Sequence, residues 1–159
     1  VADVLEEVAA ALRERAAATD LQLSLEIADR PALWAHRDHI AQLWRNLLTN
    51  AIQYTSAGGQ IIASLRQDAQ GQNVGAVRDT GNGLATDEIP RIFEDFHRTD
   101  AAKEMQELGS GLGMSIIQSI LQRYDGRLDI ESEPGQGSTF TFVLPPHRPP
   151  TEAENLVLG

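Results

Sequence analysis

The sequence predicts an α/β (α+β) two-layer sandwich, one mixed sheet with helices on one face. Three observations predict it. Apolar residues recur at helical spacing in three well-separated stretches. Short alternating stretches with strand chemistry lie between and after them. The helix–strand groups come in mixed order rather than as a strict repeat, which suits one sheet covered on a single face.

The elements follow in order. Leu5, Val8, Leu12 and Ala16 recur among Glu and Arg and predict a helix over 2–18. Leu21-Gln22-Leu23-Ser24-Leu25-Glu26-Ile27 alternates strictly and predicts a half-buried strand. Pro31 opens a short extended piece through Leu33 and Trp34. A long amphipathic helix runs from about Asp38 to Tyr54 and stops at Ala57-Gly58-Gly59. Residues 60–67 and 73–78 read as two strands joined by a turn at Gly71, and Asp79-Thr80-Gly81-Asn82-Gly83 as a sharp loop. Thr86 caps a short helix holding Ile89, Ile92 and Phe93, and residues 97–108 lack periodicity and read as a mobile segment. Gly109-Ser110-Gly111-Leu112-Gly113 leads into a helix through Ile116, Ile117, Ile120 and Leu121 that ends at Asp125-Gly126. Arg127–Glu133 and Ser138–Leu144 form a hairpin around Pro134-Gly135-Gln136-Gly137.

The chain of 159 residues is one domain over 1–145 with a Pro-rich tail or linker over 146–159, read as disordered. It has no cysteine, which removes disulfides, thiol nucleophiles and iron–sulfur sites. No apolar run approaches the ~20 residues of a membrane span, and no basic, apolar leader opens the sequence. Thirteen basic against 23 acidic residues give a net charge of −10, a surface that repels nucleic-acid phosphates. A small polyanion held in one local pocket remains compatible with that charge.

Three places carry chemistry. Gly109, Gly111 and Gly113 sit where a loop becomes a helix, and free N–H groups at a helix start attract phosphate. This is not a Walker loop, because no Lys-Ser/Thr follows, and no strand directly precedes it as a dinucleotide fingerprint requires. On the long helix, Ile40, Leu43, Trp44, Leu47 and Ala51 form the core-facing arc. Asn46, Asn50 and Gln53 fall within about 60° of one another at its edge, a polar stripe. It reads either as a solvated flank or as a pocket lip whose amide oxygens hold a hard cation such as magnesium. Asp79 ends a strand before Gly81 and Gly83, where a carboxylate accepts from an amino group in a close-packed pocket or simply serves a turn. An aspartic protease is rejected, since no second Asp-Thr/Ser-Gly exists. Gly135 and Gly137 serve the hairpin turn.

In order, these pieces resemble the ATP-binding catalytic domain of sensor histidine kinases, in the GHKL (HATPase_c) superfamily. Asn46-Leu47-Leu48-Thr49-Asn50-Ala51-Ile52-Gln53-Tyr54-Thr55 resembles its N box, and Asp79-Thr80-Gly81-Asn82-Gly83 its first glycine box. Ile92-Phe93-Glu94-Asp95-Phe96-His97-Arg98 resembles the F box, and Gly109-Ser110-Gly111-Leu112-Gly113-Met114-Ser115-Ile116 the second glycine box. Pro134-Gly135-Gln136-Gly137-Ser138-Thr139-Phe140 resembles the closing strand motif. The resemblance implies a Bergerat-type fold with ATP between the long helix and a lid over 97–108. By it, Asn50 coordinates magnesium, Asn46 and Gln53 face the phosphates, and Tyr54 lines the base or ribose. Asp79 accepts from the adenine amino group, with Gly81 and Gly83 against the base. Phe93 and Phe96 anchor the near end of the lid, and His97 stands where it can touch nucleotide. Arg98 faces the phosphates beside Asn50 as a catalytic group, and Gly109, Ser110, Gly111, Leu112 and Gly113 form hinge and phosphate cradle.

Two positions depart from the family. Gln53 replaces a usual Lys or Arg, which removes a charge near phosphate. His36 stands where an acidic residue is common, and both His36 and His39 read as ordinary surface or cap residues. Hydrolytic GHKL members carry a glutamate base where this chain has Asn46, and an amide takes no proton from water near neutral pH. The resemblance therefore implies transfer of the ATP γ-phosphoryl to a histidine. That histidine lies on a helical phosphoacceptor and dimerisation domain, which nothing in 2–18 resembles. A response-regulator receiver domain is the further partner. The setting implied is cytoplasmic, in an intact protein that is either free or membrane-anchored. The alternative is a degenerate nucleotide- or partner-binding module without transfer activity.

Overall fold

The computed structural model describes residues 2–29, 35–81 and 112–146, with the side chains of Tyr54 and of residues 112–115 left aside. Its elements are α1 (Ala2–Ala18), β1 (Gln22–Ile27), α2 (Arg37–Tyr54), β2 (Gln60–Gln67), β3 (Asn73–Asp79), α3 (Leu112–Arg123), β4 (Arg127–Glu133) and β5 (Gly137–Leu144). The strands form one sheet in the order β1-β2-β3-β5-β4. β1 and β2 are parallel, as the α2 crossover between them requires, and the other pairs are antiparallel. The two-layer sandwich expected from the sequence is what the chain adopts. Among the described residues no helix is long and apolar enough to cross a membrane.

Strand alternation assigns one face of the sheet to the helices. Leu23 and Leu25 on β1, Ile61, Ala63 and Leu65 on β2, Val77 on β3, and Phe140, Phe142 and Leu144 on β5 all belong to the core or pack against it. Opposite them, α2 buries Ile40, Leu43, Trp44, Leu47 and Ala51, the arc expected from its spacing. α1 adds Leu5, Val8 and Ala16, and α3 adds Ile117, Ile120 and Leu121. At the centre the Trp44 and Phe142 rings meet edge to face, with centroids 4.9 Å apart. They close over Gly75, where a Cβ would lie 2.2 Å from Phe142 and 2.7 Å from Trp44. A bare backbone at Gly75 thus lets α2 settle onto β3.

The start of α2 is fastened to the end of α3. The Tyr124 hydroxyl accepts the backbone N–H of His36 at 3.0 Å and lies 2.6 Å from His39 Nδ1. With the phenol proton given to Nδ1, His39 is neutral. Desolvation and the neighbouring Arg123 and His36 charges hold its pKa below the ordinary histidine value, and Asp38 opposes them only weakly. A group depressed by folding contributes stability above its unfolded pKa and loses it as pH falls through the folded value. The melting temperature is therefore expected to drop as pH falls from about 7 through 6.5 toward 5. His39→Gln flattens that drop, and calorimetric melts across the range check it.

Candidate functional site

Two helix-to-strand relations locate the site. Trp44 sits over Gly75, and eleven residues on, Thr55 reaches the loop after β3. There Thr55 Cγ2 and Thr80 Oγ1 lie 2.3 and 2.9 Å from where a Cβ on Gly59 would stand. α2 and β3 therefore run in the same direction, and the C-terminal half of α2 ends beside Asp79. α3 runs the other way, since Tyr124 at its end meets His39 in the first turn of α2. Counting back along both helices at about 1.5 Å per residue puts Leu112 level with Asn50. The C-terminal half of α2, which carries Asn50 and Gln53, and the first turn of α3 thus lie toward the end of the sheet that holds Asp79, with Asn46 nearer the middle of α2.

Asp79 owes its position to three strands. It closes β3 between Ile61 of β2 and Ser138 of β5, facing the helices two residues beyond Val77. Its side chain is buried, and Oδ1 accepts the Gly81 N–H at 2.8 Å. Burial pushes its pKa above the ordinary carboxylate value, while the N–H groups of Gly81 and Ser138 pull the other way. The causes of the shift include no cation among the described residues, so the carboxyl, when ionised, is left to accept hydrogen bonds. Thr80 is fixed to the start of β2 by a bond from its N–H to the Gln60 carbonyl, 3.2 Å, and by the Gln60 N–H on its Oγ1, 3.0 Å. Asn46, Asn50 and Gln53 are half-buried.

Some expected positions stand otherwise or fall outside the described residues. Leu112 and Gly113 lie in the first turn of α3 rather than before it. Gly83, Phe93, Phe96, His97, Arg98, Gly109, Ser110 and Gly111 lie outside the described residues, as do the expected helix after Thr86, the segment 97–108, Pro31–Trp34 and the tail from 147. One reading needs correction. Gly137 does more than turn the hairpin: it opens β5 at φ +96°, and a Cβ there would stand 2.1 Å from the Asp79 carbonyl oxygen. Gly135 has φ +77° with open space beside it. Spacing could not separate the two, because the contact that distinguishes them is with a strand far away in sequence.

Residues 35–148 match the family model described as histidine kinase-, DNA gyrase B-, and HSP90-like ATPase. The chain belongs to that family. Among its relatives is the adaptive-response sensory kinase SasA of Synechococcus elongatus, 38% identical over 147 residues, a match covering 91% of this chain and 37% of SasA. BaeS of Escherichia coli, a signal transduction histidine-protein kinase, is 34% identical over 149 residues, covering 91% of this chain and 31% of BaeS. The chain thus spans about a third of the length of these curated relatives. Among solved structures, full-length ShkA in complex with AMPPNP superposes with a TM-score of 0.79 at 29% identity, over 90% of this chain and 29% of that one. The mycobacterial sensor histidine kinase MprB shares the fold at a TM-score of 0.81 and 23% identity, over 91% of this chain and 94% of that one.

Proposed function

We propose that this chain is the ATP- and magnesium-binding catalytic domain of a sensor histidine kinase. It presents the γ-phosphoryl group to a histidine on a separate helical domain, from which a response-regulator receiver takes it. What carries this reading is a buried Asp79 at the strand end toward which the C-terminal half of α2 runs, in a chain of the family ATPase fold. The relation to ShkA, solved with an ATP analogue, supports the choice of ligand.

In this reading the Asp79 carboxylate accepts from the adenine amino group, and Gly81 and Gly83 let the base lie against the backbone. Tyr54 lines the sugar side. Asn46 and Gln53 donate amide protons to phosphate oxygens. Arg98 and the run Gly109, Ser110, Gly111, Leu112 and Gly113 complete the phosphate cradle. The half-buried Asn50 amide is a neutral, hard oxygen donor, which fits an ion that takes most of its ligands from phosphates and water. Magnesium there neutralises the charge of the triphosphate. Asn46 has no basic lone pair at neutral pH, so water is not activated and the phosphoryl group is kept for a protein acceptor.

Calorimetric titration with a non-hydrolysable ATP analogue tests the reading. The chain is expected to bind it more tightly with magnesium than without. Asn50→Ala is expected to cost about tenfold in magnesium and little in its absence. Equal binding by the chain and by Asn50→Ala under both conditions would remove Asn50 from the site.

A further inference from the structure

The row of the sheet that holds Asp79 does not end there. Asp79 pairs with Ser138 on β5, and Ser138 pairs with Ser132 on β4. All three side chains lie on the helix-facing side, since the next row inward on the same strands is Val77, Phe140 and Ile130 of the core. The apolar layer thus gives way, at the end where the candidate site lies, to a polar row of one carboxyl and two hydroxyls.

The hydrogen bonds of that row fix a direction. Ser132 Oγ donates to the Gly137 carbonyl at 3.1 Å. Ser132 Oγ and Ser138 Oγ lie 2.8 Å apart. A hydroxyl carries a single proton, and that of Ser132 is committed to Gly137. The proton between the two serines therefore belongs to Ser138. With it given to Ser132, Ser138 Oγ can only accept from whatever else approaches. Its backbone N–H meanwhile lies close enough to the Asp79 carboxyl to favour the ionised form. The row then offers acceptors side by side, the ionised carboxyl of Asp79 and the oxygen of Ser138.

We propose that Ser132 is a positioning residue for base selection: by taking the Ser138 proton it locks Ser138 Oγ as an acceptor beside Asp79, so that the row favours an amino group over a carbonyl. This rests on the reading that Asp79 faces the purine. The 6-amino group of adenine brings two protons to such a row. A 6-oxo purine brings lone pairs against lone pairs, which leaves polar groups unpaired in a confined place. Were Ser138 free to turn, its O–H would point at a carbonyl and soften that rejection.

The test compares ATP with inosine triphosphate, which differs at the 6-position and N1 of the base, by titration in magnesium against the unaltered chain, Ser132→Ala, Ser132→Thr and Ser138→Ala. Ser132→Ala is expected to cut the preference for ATP about tenfold, and Ser132→Thr, which keeps the hydroxyl, is expected to restore it. Ser138→Ala is expected to lower the preference similarly, with the double variant adding little more, as members of one network do. A role confined to supporting the hairpin would lower the melting temperature and leave the ratio of the two affinities unchanged. That result, or a Ser132→Ala effect that persists in full on the Ser138→Ala background, overturns the proposal. If the unaltered chain binds ATP and loses it on Asp79→Asn while the ratio stays fixed in Ser132→Ala, only the role of Ser132 fails. If the unaltered chain binds neither nucleotide, the reading of Asp79 fails with it.

Discussion

Asp79→Asn is expected to weaken binding of an ATP analogue about a hundredfold while leaving the chain folded. The carboxyl already receives the Gly81 N–H and has the Ser138 N–H as a favourable neighbour, and the proposed amino group of adenine is a third donor. A carboxylate has lone pairs for all three. An amide has one accepting oxygen, so at least one donor then faces the NH2 of asparagine. The unliganded protein responds differently. Burial raises the pKa of Asp79, so its contribution to stability is present below the ordinary carboxylate pKa and is lost as pH rises through the raised folded value. Asparagine carries no such dependence. The difference in melting temperature, variant minus parent, is therefore expected to shift in favour of the variant between about pH 4 and pH 7. Nucleotide affinity of the parent falls on acidification as the acceptor is protonated. Melts and titrations over that range check both signs, and a gap in melting temperature that does not move with pH would contradict the buried-acid account.

The second large effect is expected at Gly137. Alanine there meets a left-handed backbone, φ +96°, and places Cβ about where the Asp79 carbonyl oxygen stands, 2.1 Å away. Neither partner yields cheaply, because one is the start of β5 and the other the end of β3. The expected cost is about 2–5 kcal/mol, and binding should fall with it because the displaced backbone carries the Asp79 side chain. Gly135→Ala is the matched control. It shares the positive φ but has nothing within 4 Å, so only the backbone strain of about 1–2 kcal/mol is expected, with nucleotide binding kept. Urea unfolding beside titration separates the two. Equal losses at both positions would show that the contact with Asp79 does not matter.

What could be read from the sequence is what repeats over short distances. The arc Ile40, Leu43, Trp44, Leu47 and Ala51 is buried as its spacing demands, and alternation from Leu23 to Ile27 places β1 as expected. The half-buried state of Asn46, Asn50 and Gln53 also follows from their place at the edge of that arc. What escaped depends on residues that meet only after the chain has folded. Gly75 under Trp44 and Phe142, Gly137 against Asp79, and Tyr124 on His39 are each contacts between distant segments. His39 was legible only as a surface or cap residue because its partner lies 85 positions away. Ser138 was legible only as part of the closing strand motif and Ser132 not at all, since serines flanking a hairpin turn are common and only the register of β4 on β5 brings their hydroxyls together.

The bond between Tyr124 and His39 has a mechanical meaning. It fastens α3 to the start of α2 at the end remote from Asp79, and a lever measured from that clamp runs to Leu112 at the other end of the helix. Over a lever of about 17 Å, a tilt of about 5° at the clamp carries the tip through about 1.5 Å, half the length of a hydrogen bond. Acid that protonates His39 slackens the clamp, and whatever alters the angle between the two helices at that end is magnified at Leu112.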